Sequence, residues 1–232
     1  MIDWHSHVLP GMDDGSANLA ESIAMLERQA QQGVKTVIAT PHFYANDESV
    51  ADFILRRQKA YEVLKAQLPE GAPDILLGAE VRYYRGISRM ENIEALRIQG
   101  TKLLLLEMPM RDWTESMLKD LMELAGSGSV RLVLAHIDRY WGLQKREVWA
   151  RLHEAGILMQ VNAGFFTGLT TKRKAISLLQ EGLVQLVGSD GHNMTTRPPH
   201  LEKAFDVIGK KLGKEYLEQM TRYGYSLFTG NL

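Results

Sequence analysis

The sequence of 232 residues contains no cysteine, carries a formal net charge of −1 and is 45% hydrophobic. The absence of cysteine excludes disulfides, thiolate nucleophiles and cysteine-ligated zinc, and it is typical of a cytoplasmic protein. The balanced charge gives no basic field for nucleic acid, and no apolar run reaches the roughly 18 residues that span a bilayer. Because the N-terminus also lacks a signal-peptide pattern, we expect a cytoplasmic protein with no membrane insertion and no nucleic-acid partner.

Short apolar runs alternate along the chain with amphipathic stretches of helical period. The predicted strands are Met1–His5, Val34–Ala39, Ile75–Val81, Leu103–Glu107, Val130–Ala135, Ile157–Val161 and Leu183–Gly188. The predicted helices are Asn18–Gln32, Ser49–Gln67, Trp113–Ala125, Lys145–Ala155 and Thr171–Glu181. Two further helices are expected within Arg197–Tyr223, split near Gly213, and Gly86–Leu96 is predicted as a short helix or an ordered loop.

Strands that alternate with helices predict a parallel sheet with right-handed crossovers. Seven such units favour an α/β protein with a distorted (β/α)7 TIM-like barrel, in a single domain over residues 1–232. An open doubly wound sheet is the alternative, and its first turn should carry a Gly-x-Gly-x-x-Gly nucleotide fingerprint. That turn contains Leu9-Pro10-Gly11 and Asp13-Asp14-Gly15 instead, so the barrel is preferred.

The first predicted strand ends in a pair of histidines, His5 and His7. Residues two apart in a strand point to the same side, and neutral imidazole is a good ligand for divalent Zn, Mn, Fe or Ni. A single His-x-His pair also occurs as two surface histidines on a sheet edge. The interpretation therefore depends on whether similar residues recur at later strand ends.

Such residues follow six of the seven predicted strands, and either Asp13 or Asp14 adds a carboxylate from the first loop. The histidines and carboxylates at strand ends are His5, His7, His42, Glu80, Glu107, His136, Asp190 and His192. In a (β/α) barrel the active site is built at this C-terminal face. One metal uses four to six ligands, so about nine candidates predict two or three ions that share bridging carboxylates.

Three motifs give the sequence a resemblance to the PHP (polymerase and histidinol phosphatase) superfamily. They are the His-x-His opening, Thr-Pro-His ending at His42 and Ser-Asp-Gly-His ending at His192. Within that superfamily, the whole chain is similar to the bacterial manganese-dependent tyrosine-protein phosphatases of capsule and exopolysaccharide operons, the CpsB/YwqE type. The closer resemblance rests on the Asp-Asp-Gly turn, the Val-Asn-Ala-Gly segment ending at Gly164 and the short length.

The resemblance implies a PHP-type barrel with three divalent metal ions, Mn²⁺ first and Fe, Zn or Co as alternatives. The implied ligands are His5, His7, Asp14, His42, Glu80, Glu107, His136, Asp190 and His192. Arg139 and Arg197 are implied to hold the substrate phosphate. One departure concerns the loop before Arg139, because relatives usually read Ala-His-Pro-Glu-Arg where this chain has Ile137 and Asp138.

The reaction that the resemblance implies is hydrolysis of phosphotyrosine, with a metal-activated hydroxide attacking phosphorus and no covalent enzyme intermediate. The implied partner is the tyrosine-rich tail of a bacterial tyrosine kinase. A phenolate has a pKa of about 10 and leaves with little protonation, which suits a site without an obvious general acid. His200 is a candidate acid, although an ordinary surface histidine is the simpler interpretation.

Several aromatic residues in loops on the same predicted face are suited to stacking on a substrate ring or, equally, to packing on the core. They are Tyr44, Tyr83, Tyr84, Phe165 and Phe166, of which Tyr44 is predicted to contact the substrate.

Three other functions stay open. A histidinol phosphatase or another small-molecule phosphoesterase of the PHP superfamily would share the metal site and differ only in its loops. A metal-dependent amidohydrolase also begins with His-x-His, but it typically bridges its metals with a carbamylated lysine, whereas Glu80 and Glu107 occupy those strand ends here. A metal-structured binding module without catalysis is suggested only by the Ile137-Asp138 departure. The oligomeric state is left open.

Overall fold

The computed structural model describes residues 1–229, in which parallel strands are surrounded by helices. The strands are β1 (Ile2–Ser6), β2 (Thr36–Ala39), β3 (His42–Phe43), β4 (Asp74–Leu77), β5 (Glu80–Arg82), β6 (Leu103–Glu107), β7 (Arg131–Leu134), β8 (Leu158–Asn162) and β9 (Leu186–Gly188). The helices are α1 (Leu19–Gln31), α2 (Val50–Lys65), α3 (Glu115–Gly126), α4 (Arg146–Glu154), α5 (Gly164–Thr167), α6 (Lys172–Gln180), α7 (Leu201–Leu212) and α8 (Lys214–Thr229).

Side-chain caps fix where the first three helices begin. Asn18, Ser49 and Thr114 each accept a hydrogen bond from the backbone N–H three residues further on, in α1, α2 and α3. Such a cap satisfies one of the four N–H groups that a helix leaves unpaired at its first turn. No helix within residues 1–229 combines the length and apolar character needed to cross a membrane.

Seven strand positions form the barrel, although two of them are interrupted. β2 continues into β3 across Thr40-Pro41, where proline offers no N–H to the ladder. β4 continues into β5 across Gly78-Ala79, and the Glu80 amide donates to the Pro41 carbonyl at 3.0 Å. The hydrogen-bonded sheet is thus carried past both interruptions.

The strands are hydrogen-bonded in the orders β1-β2-β4 and β3-β5-β6-β7-β8-β9, and the paired strands are parallel. The ring closes between its first and last strands. The Asp190 amide donates to the His5 carbonyl at 2.8 Å, and the His7 amide donates to the Gly191 carbonyl at 2.9 Å. The predicted α/β class and distorted seven-stranded barrel are confirmed.

One extra residue in β1 changes which side chains enter the barrel. Asp3 and Ser6 pair with residues of β2 that are two apart rather than three, so the register shifts between them. Such a bulge interrupts the strict alternation of strand side chains. As a result Trp4 packs in the interior apolar cluster, while the adjacent His5 reaches Glu80 at 3.1 Å.

The barrel interior is apolar below the predicted ligands. Its buried residues come from β1, β2, β6, β7, β8 and β9: Ile2, Trp4, Ile38, Leu103, Leu105, Val133, Leu158 and Leu186. α8 closes this end, because Leu227 joins the same cluster and Phe228 stacks on the Trp4 ring with centroids 5.4 Å apart. A second, larger cluster lies between the strands and the outer helices.

Several predicted elements need correction. The single strand expected at Ile75–Val81 is divided into β4 and β5, and the short α5 was not predicted. The segment Gly86–Leu96 contains two 3-10 turns, as the short-helix alternative allowed. Arg197–Tyr223 does hold two helices split at Gly213, but α7 starts only after Pro198-Pro199 and α8 runs on to its end at residue 229.

Gly188 allows β9 to approach β1 closely, which gives a stability prediction. A Cβ at this position would lie 2.5 Å from the His5 Cβ, so Gly188→Ala should force the strands apart. We expect a loss of about 1–3 kcal/mol in the free energy of unfolding, measured by urea denaturation. Gly126→Ala at the end of α3 is the control, because a Cβ there meets nothing within 4 Å. Equal stability of the two variants would contradict the predicted strand contact.

Candidate metal centre

The nine predicted ligands converge at the C-terminal ends of the strands. His5, His7, Glu80, His136, Asp190 and His192 are buried. His42 and Glu107 are nearly buried, with 12% and 14% of their side chains exposed, whereas Asp14 is 66% exposed. The cluster therefore has a buried floor and one acidic residue at its mouth.

Glu80 lies at the middle of this cluster and is surrounded by four histidines. Its Oε2 lies 3.1 Å from His5 Nε2, 3.2 Å from His7 Nε2 and 3.1 Å from His42 Nδ1. Its Oε1 lies 2.8 Å from His136 Nε2. A carboxylate in this position can bridge ions held by the surrounding imidazoles.

The potential ligand atoms fall into three groups, and within each group they lie within 4.8 Å of one another. The groups are His7, Asp14, His42 and His192; His5, His7 and Asp190; and His42, Glu80 and Glu107. His7 and His42 each belong to two groups, so the three groups adjoin. His136 adjoins the third, since its Nε2 is 3.7 Å from Glu107 as well as close to Glu80.

Three buried polar atoms in the cluster have no hydrogen-bond partner in the described chain, namely His42 Nδ1, His192 Nε2 and Glu107 Oε2. The short approach of His42 Nδ1 to Glu80 does not have hydrogen-bond geometry. An unsatisfied buried polar atom typically costs about 1–3 kcal/mol. Because all three residues belong to groups able to hold an ion, the available lone pairs fit divalent cations.

Hydrogen bonds at the opposite ring nitrogen orient three of the histidines. His5 Nδ1 donates to Gln160 Oε1 at 3.2 Å, and His7 Nδ1 donates to Asp13 Oδ2 at 2.7 Å. His192 Nδ1 donates to the carbonyl of the preceding ligand residue, Asp190, at 3.0 Å. A proton fixed on Nδ1 leaves the Nε2 lone pair free for a metal.

The two adjacent aspartates of the first loop differ in what they contact. The Asp13 carboxylate accepts from His7 Nδ1, from the His42 amide at 2.7 Å and from the Gly15 amide at 2.9 Å. Both oxygens of the Asp13 carboxylate therefore accept hydrogen bonds that orient neighbouring residues. Asp14 Oδ1 instead lies 3.5 Å from both His42 Nε2 and His192 Nε2, which favours Asp14 as the ligand.

Electrostatics in the cluster depends on the competition between burial and close opposite charges. Burial opposes a charge on His7, but the carboxylates of Asp13 and Glu80 outweigh it and raise the pKa of His7 to about 10. Burial and the charged His7 lower the pKa of His192 to about 4. Without a cation, the excess carboxylate charge is therefore met by a proton on His7.

The two predicted phosphate-binding arginines meet beside the cluster at one oxygen of Asp190. Arg139 donates to Asp190 Oδ2, Arg197 donates to the same atom at 2.8 Å, and Asn162 Nδ2 donates to it at 2.9 Å. The other oxygen, Oδ1, faces the histidines and lies 3.6 Å from His7 Nε2. The side chains of Arg139 and Arg197 are 34% and 38% exposed, so a ligand can reach both residues.

The Ile137-Asp138 departure leaves the Arg139 loop well held. Ile137 is fully buried, and Asp138 Oδ1 accepts from the Asn162 amide at 2.9 Å. Burial raises the pKa of Asp138, while the bond from Asn162 favours its charged form. The shorter carboxylate thus supports the residue that in turn contacts Asp190.

The aromatic candidates divide between the site and the core. The Tyr44 ring centroid lies 5.3 Å from that of His42, beside the cluster, and the guanidinium carbon of Arg82 lies 5.8 Å from the Tyr44 ring centroid. Phe166 is fully buried in the core, so its role is packing. Tyr83 donates its hydroxyl hydrogen to Asp120 at 2.6 Å.

Sequence reasoning missed the residues that orient the ligands. Gln160 is not among the predicted ligands, yet its Oε1 accepts from the His136 amide at 2.7 Å as well as from His5, and so it links two predicted ligands. Tyr140 is buried with its hydroxyl 3.0 Å from His136 Nδ1. The position of Gln160 near a strand end could have indicated its role. Nothing in the sequence around Tyr140 distinguishes it from other loop tyrosines.

A comparison with protein families matches residues 1–225 to the family described as "Capsular polysaccharide synthesis, CpsB/CapC". The chain belongs to this family. The tyrosine-protein phosphatase YwqE of Bacillus subtilis is 32% identical over 95% of this chain and 89% of its own length. The tyrosine-protein phosphatase CpsB of Streptococcus pneumoniae is 31% identical over 95% of this chain and 94% of its own.

Solved structures agree with the family assignment. A structure from the work on YwqE of Bacillus subtilis and CpsB of Streptococcus pneumoniae, described as metal-dependent tyrosine phosphatases, superimposes with a TM-score of 0.85 at 27% identity. The match covers 100% of this chain and 96% of the other. A dihydrodipicolinate synthase of Acinetobacter baumannii matches with a TM-score of 0.51 at 16% identity, over 94% and 79%, which concerns the fold alone.

The proton on His7 gives a prediction for metal binding by this family member. With its pKa raised to about 10, His7 is protonated at neutral pH, and a coordinating imidazole must lose that proton. We expect Mn²⁺ binding to release protons and to tighten as the pH rises from about 6 to about 9. Calorimetric titration of chelator-treated protein in two buffers of different ionisation enthalpy measures the release.

The exposed His153→Ala variant on α4 is the control and should release protons like the unaltered protein. Identical binding heats in both buffers would show that no proton leaves and would contradict the prediction.

Proposed function

We propose that this chain is a metal-dependent protein-tyrosine phosphatase that hydrolyses the phosphate monoester of phosphotyrosine. The observation that carries the proposal is the meeting of Arg139 and Arg197 at the Asp190 oxygen turned away from the histidines. A phosphate held by these two arginines would have guanidinium donors on one side and the cation-binding cluster on the other. Membership of the CpsB/CapC family and relatives that are tyrosine-protein phosphatases support the same activity.

We assign three divalent metal ions to the three adjoining groups, with Mn²⁺ as the first choice and Fe, Zn or Co as alternatives. The proposed ligands are His5, His7, Asp14, His42, Glu80, Glu107, His136, Asp190 and His192. When bound, such ions polarise phosphoryl oxygens and make water a nucleophile at neutral pH. Four carboxylates against three divalent ions leave a formal balance of about +2, which attracts a phosphate dianion.

The arginines of this chain bind and orient the phosphate. Each guanidinium carries five N–H donors, and the bonds to Asp190 use only part of them. The remaining donors of Arg139 and Arg197 suit the non-bridging oxygens, with bidentate contacts that also stabilise charge in the transition state. Because both arginines share Asp190, their relative positions are fixed before the substrate arrives.

The leaving group needs little help from the protein. A phenolate leaves without full protonation, since its conjugate acid has a pKa of about 10. Burial raises the pKa of Tyr44, which keeps this ring neutral at the rim, where we propose that it packs against the substrate ring. His200 has its Nδ1 donating to the Pro198 carbonyl at 2.6 Å, and we give it no part in the reaction.

The physiological substrate that we propose is a phosphotyrosine-bearing protein, specifically the tyrosine-rich tail of a bacterial tyrosine kinase in capsule or exopolysaccharide synthesis. The capsular description of the family supports this context. We treat residues 1–232 as a single PHP-type domain. The location in the cytoplasm stays a prediction from the absence of cysteine.

Phosphate release from a phosphotyrosine peptide and from histidinol phosphate tests the proposed activity. Treatment with EDTA should abolish release from the peptide, and Mn²⁺ should restore it, because the cluster supplies the cation sites. Metal-dependent release from histidinol phosphate alone would instead identify a small-molecule phosphoesterase on the same site. Release from neither compound would leave a binding module, and Ile137→Pro would then be the first variant to make.

The phosphate-binding role of the arginines gives a separate prediction. Arg139→Lys and Arg197→Lys keep the charge but lose the planar donor fork, so kcat/KM for the phosphotyrosine peptide should fall about tenfold to a thousandfold. Steady-state kinetics with the Mn²⁺-loaded protein measures the change. Arg222→Lys on the exposed face of α8 is the control. Unchanged kinetics in both site variants would overturn the assignment.

A further inference from the structure

A second pocket opens beside the metal centre on the same face of the barrel. It has a volume of about 380 Å³ and lies between the segments that follow β5 and β6, above the start of α3. Its walls include Tyr83, Tyr84, Pro109 and Met117, and its cationic residues are Arg85 and Arg111. We call it the arginine pocket.

A backbone hydrogen bond joins the arginine pocket to the metal centre. The Tyr83 amide donates to the carbonyl of Glu107, a proposed metal ligand, at 2.8 Å. Tyr83 also follows Glu80 by three residues on the same strand run. At about 3.3 Å per extended residue, the Tyr83 backbone lies roughly 10 Å from the backbone of Glu80, whose carboxylate is at the middle of the cluster.

Hydrogen bonds hold the first wall of this pocket in place. Asp120 of α3 accepts from the Tyr83 hydroxyl at 2.6 Å and from the Gly86 amide at 3.1 Å. Ser88 donates to Glu123 of the same helix at 3.0 Å. The loop that carries Arg85 is therefore fixed on α3 at three points.

The second wall is held as firmly. Gln144 accepts from the Trp113 amide at 3.0 Å and donates to the Arg111 carbonyl at 2.8 Å. The Trp113 indole N–H donates to the Pro109 carbonyl at 3.1 Å. A pocket whose walls are fixed in advance binds a ligand at a lower entropic cost than a mobile loop.

The two arginines of this pocket have no carboxylate partner within residues 1–229, unlike Arg82, which lies 3.5 Å from Glu107. Both are exposed, whereas the tyrosine rings beside them are half-buried. Guanidinium groups that line one pocket together with aromatic rings suit a side chain with an aliphatic stem and a terminal carboxylate. The pocket therefore has the chemistry to take glutamate or aspartate.

We propose that the arginine pocket binds an acidic side chain of the substrate protein, about three residues from the phosphotyrosine held at the metal centre. The inference rests on the proposed phosphatase function and adds a preference for acidic sequence around the target tyrosine. Arg85 and Arg111 act as specificity-determining residues. They contact the flanking sequence and not the reacting phosphate.

Two synthetic phosphotyrosine peptides test the proposal. They are identical except for glutamate or glutamine at the third positions before and after the phosphotyrosine. With Mn²⁺-loaded, full-length protein, kcat/KM should be about three- to tenfold higher for the glutamate peptide. In Arg85→Ala and Arg111→Ala this ratio should fall towards one. Arg89→Ala, an exposed arginine of the same loop outside the pocket, should keep the original ratio.

The outcomes separate the pocket from the phosphatase. Equal hydrolysis of both peptides, or an unchanged ratio in both pocket variants, would overturn the acidic preference and leave the phosphatase standing. A ratio that falls equally in Arg89→Ala would assign the preference to general charge and would also overturn the pocket. Hydrolysis of histidinol phosphate with neither peptide hydrolysed would overturn the proposed function and this inference with it.

Discussion

A buried carboxylate ringed by four imidazoles is the constraint on which the remaining structure depends. Glu80 is 1% exposed, and no segment close to it in the sequence supplies its histidine neighbours, which come from three other strand ends. A charge so far from water must be compensated by partners fixed in space. A closed ring of parallel strands provides that compensation, because all of its C-terminal ends point to one face. The interior below the cluster can then be wholly apolar.

Departures from regular geometry concentrate around the same point. The bulge in β1 and the interruptions at Thr40-Pro41 and Gly78-Ala79 lie next to the cluster. His136 and Asp190 are both proposed ligands, and their backbones adopt the left-handed region, with φ of 33° and 51°. Non-glycine residues hold such conformations only where the surrounding structure enforces them. The regular part of the barrel thus supports an irregular rim that aims the functional side chains.

Much of this arrangement could be predicted from the sequence because it follows from two simple periodicities. The strand and helix periods predicted the barrel, and the residues at the strand ends predicted which side chains converge. The preference for Asp14 over Asp13 came from the family resemblance. The bulge at Trp4-His5 could not be predicted, because it depends on pairing with β2 and not on the local sequence. The roles of Asp13 and Gln160 in orienting the histidines could not be predicted for a similar reason. A polar side chain acquires such a role only from partners that the closed ring brings to it.

Closure of the ring between β1 and β9 has a consequence for how the protein folds. The Asp3 carboxylate accepts from the Ser189 amide, a contact between residues separated by 186 positions. Contacts of such long range form slowly, since the chain must lose much of its freedom before they provide stability. The candidate metal-binding groups combine residues that follow β1 with residues that follow β9. The complete set of ligands is therefore assembled only when these two strands have come together. During synthesis on the ribosome, the ring therefore cannot close until the last strand has emerged.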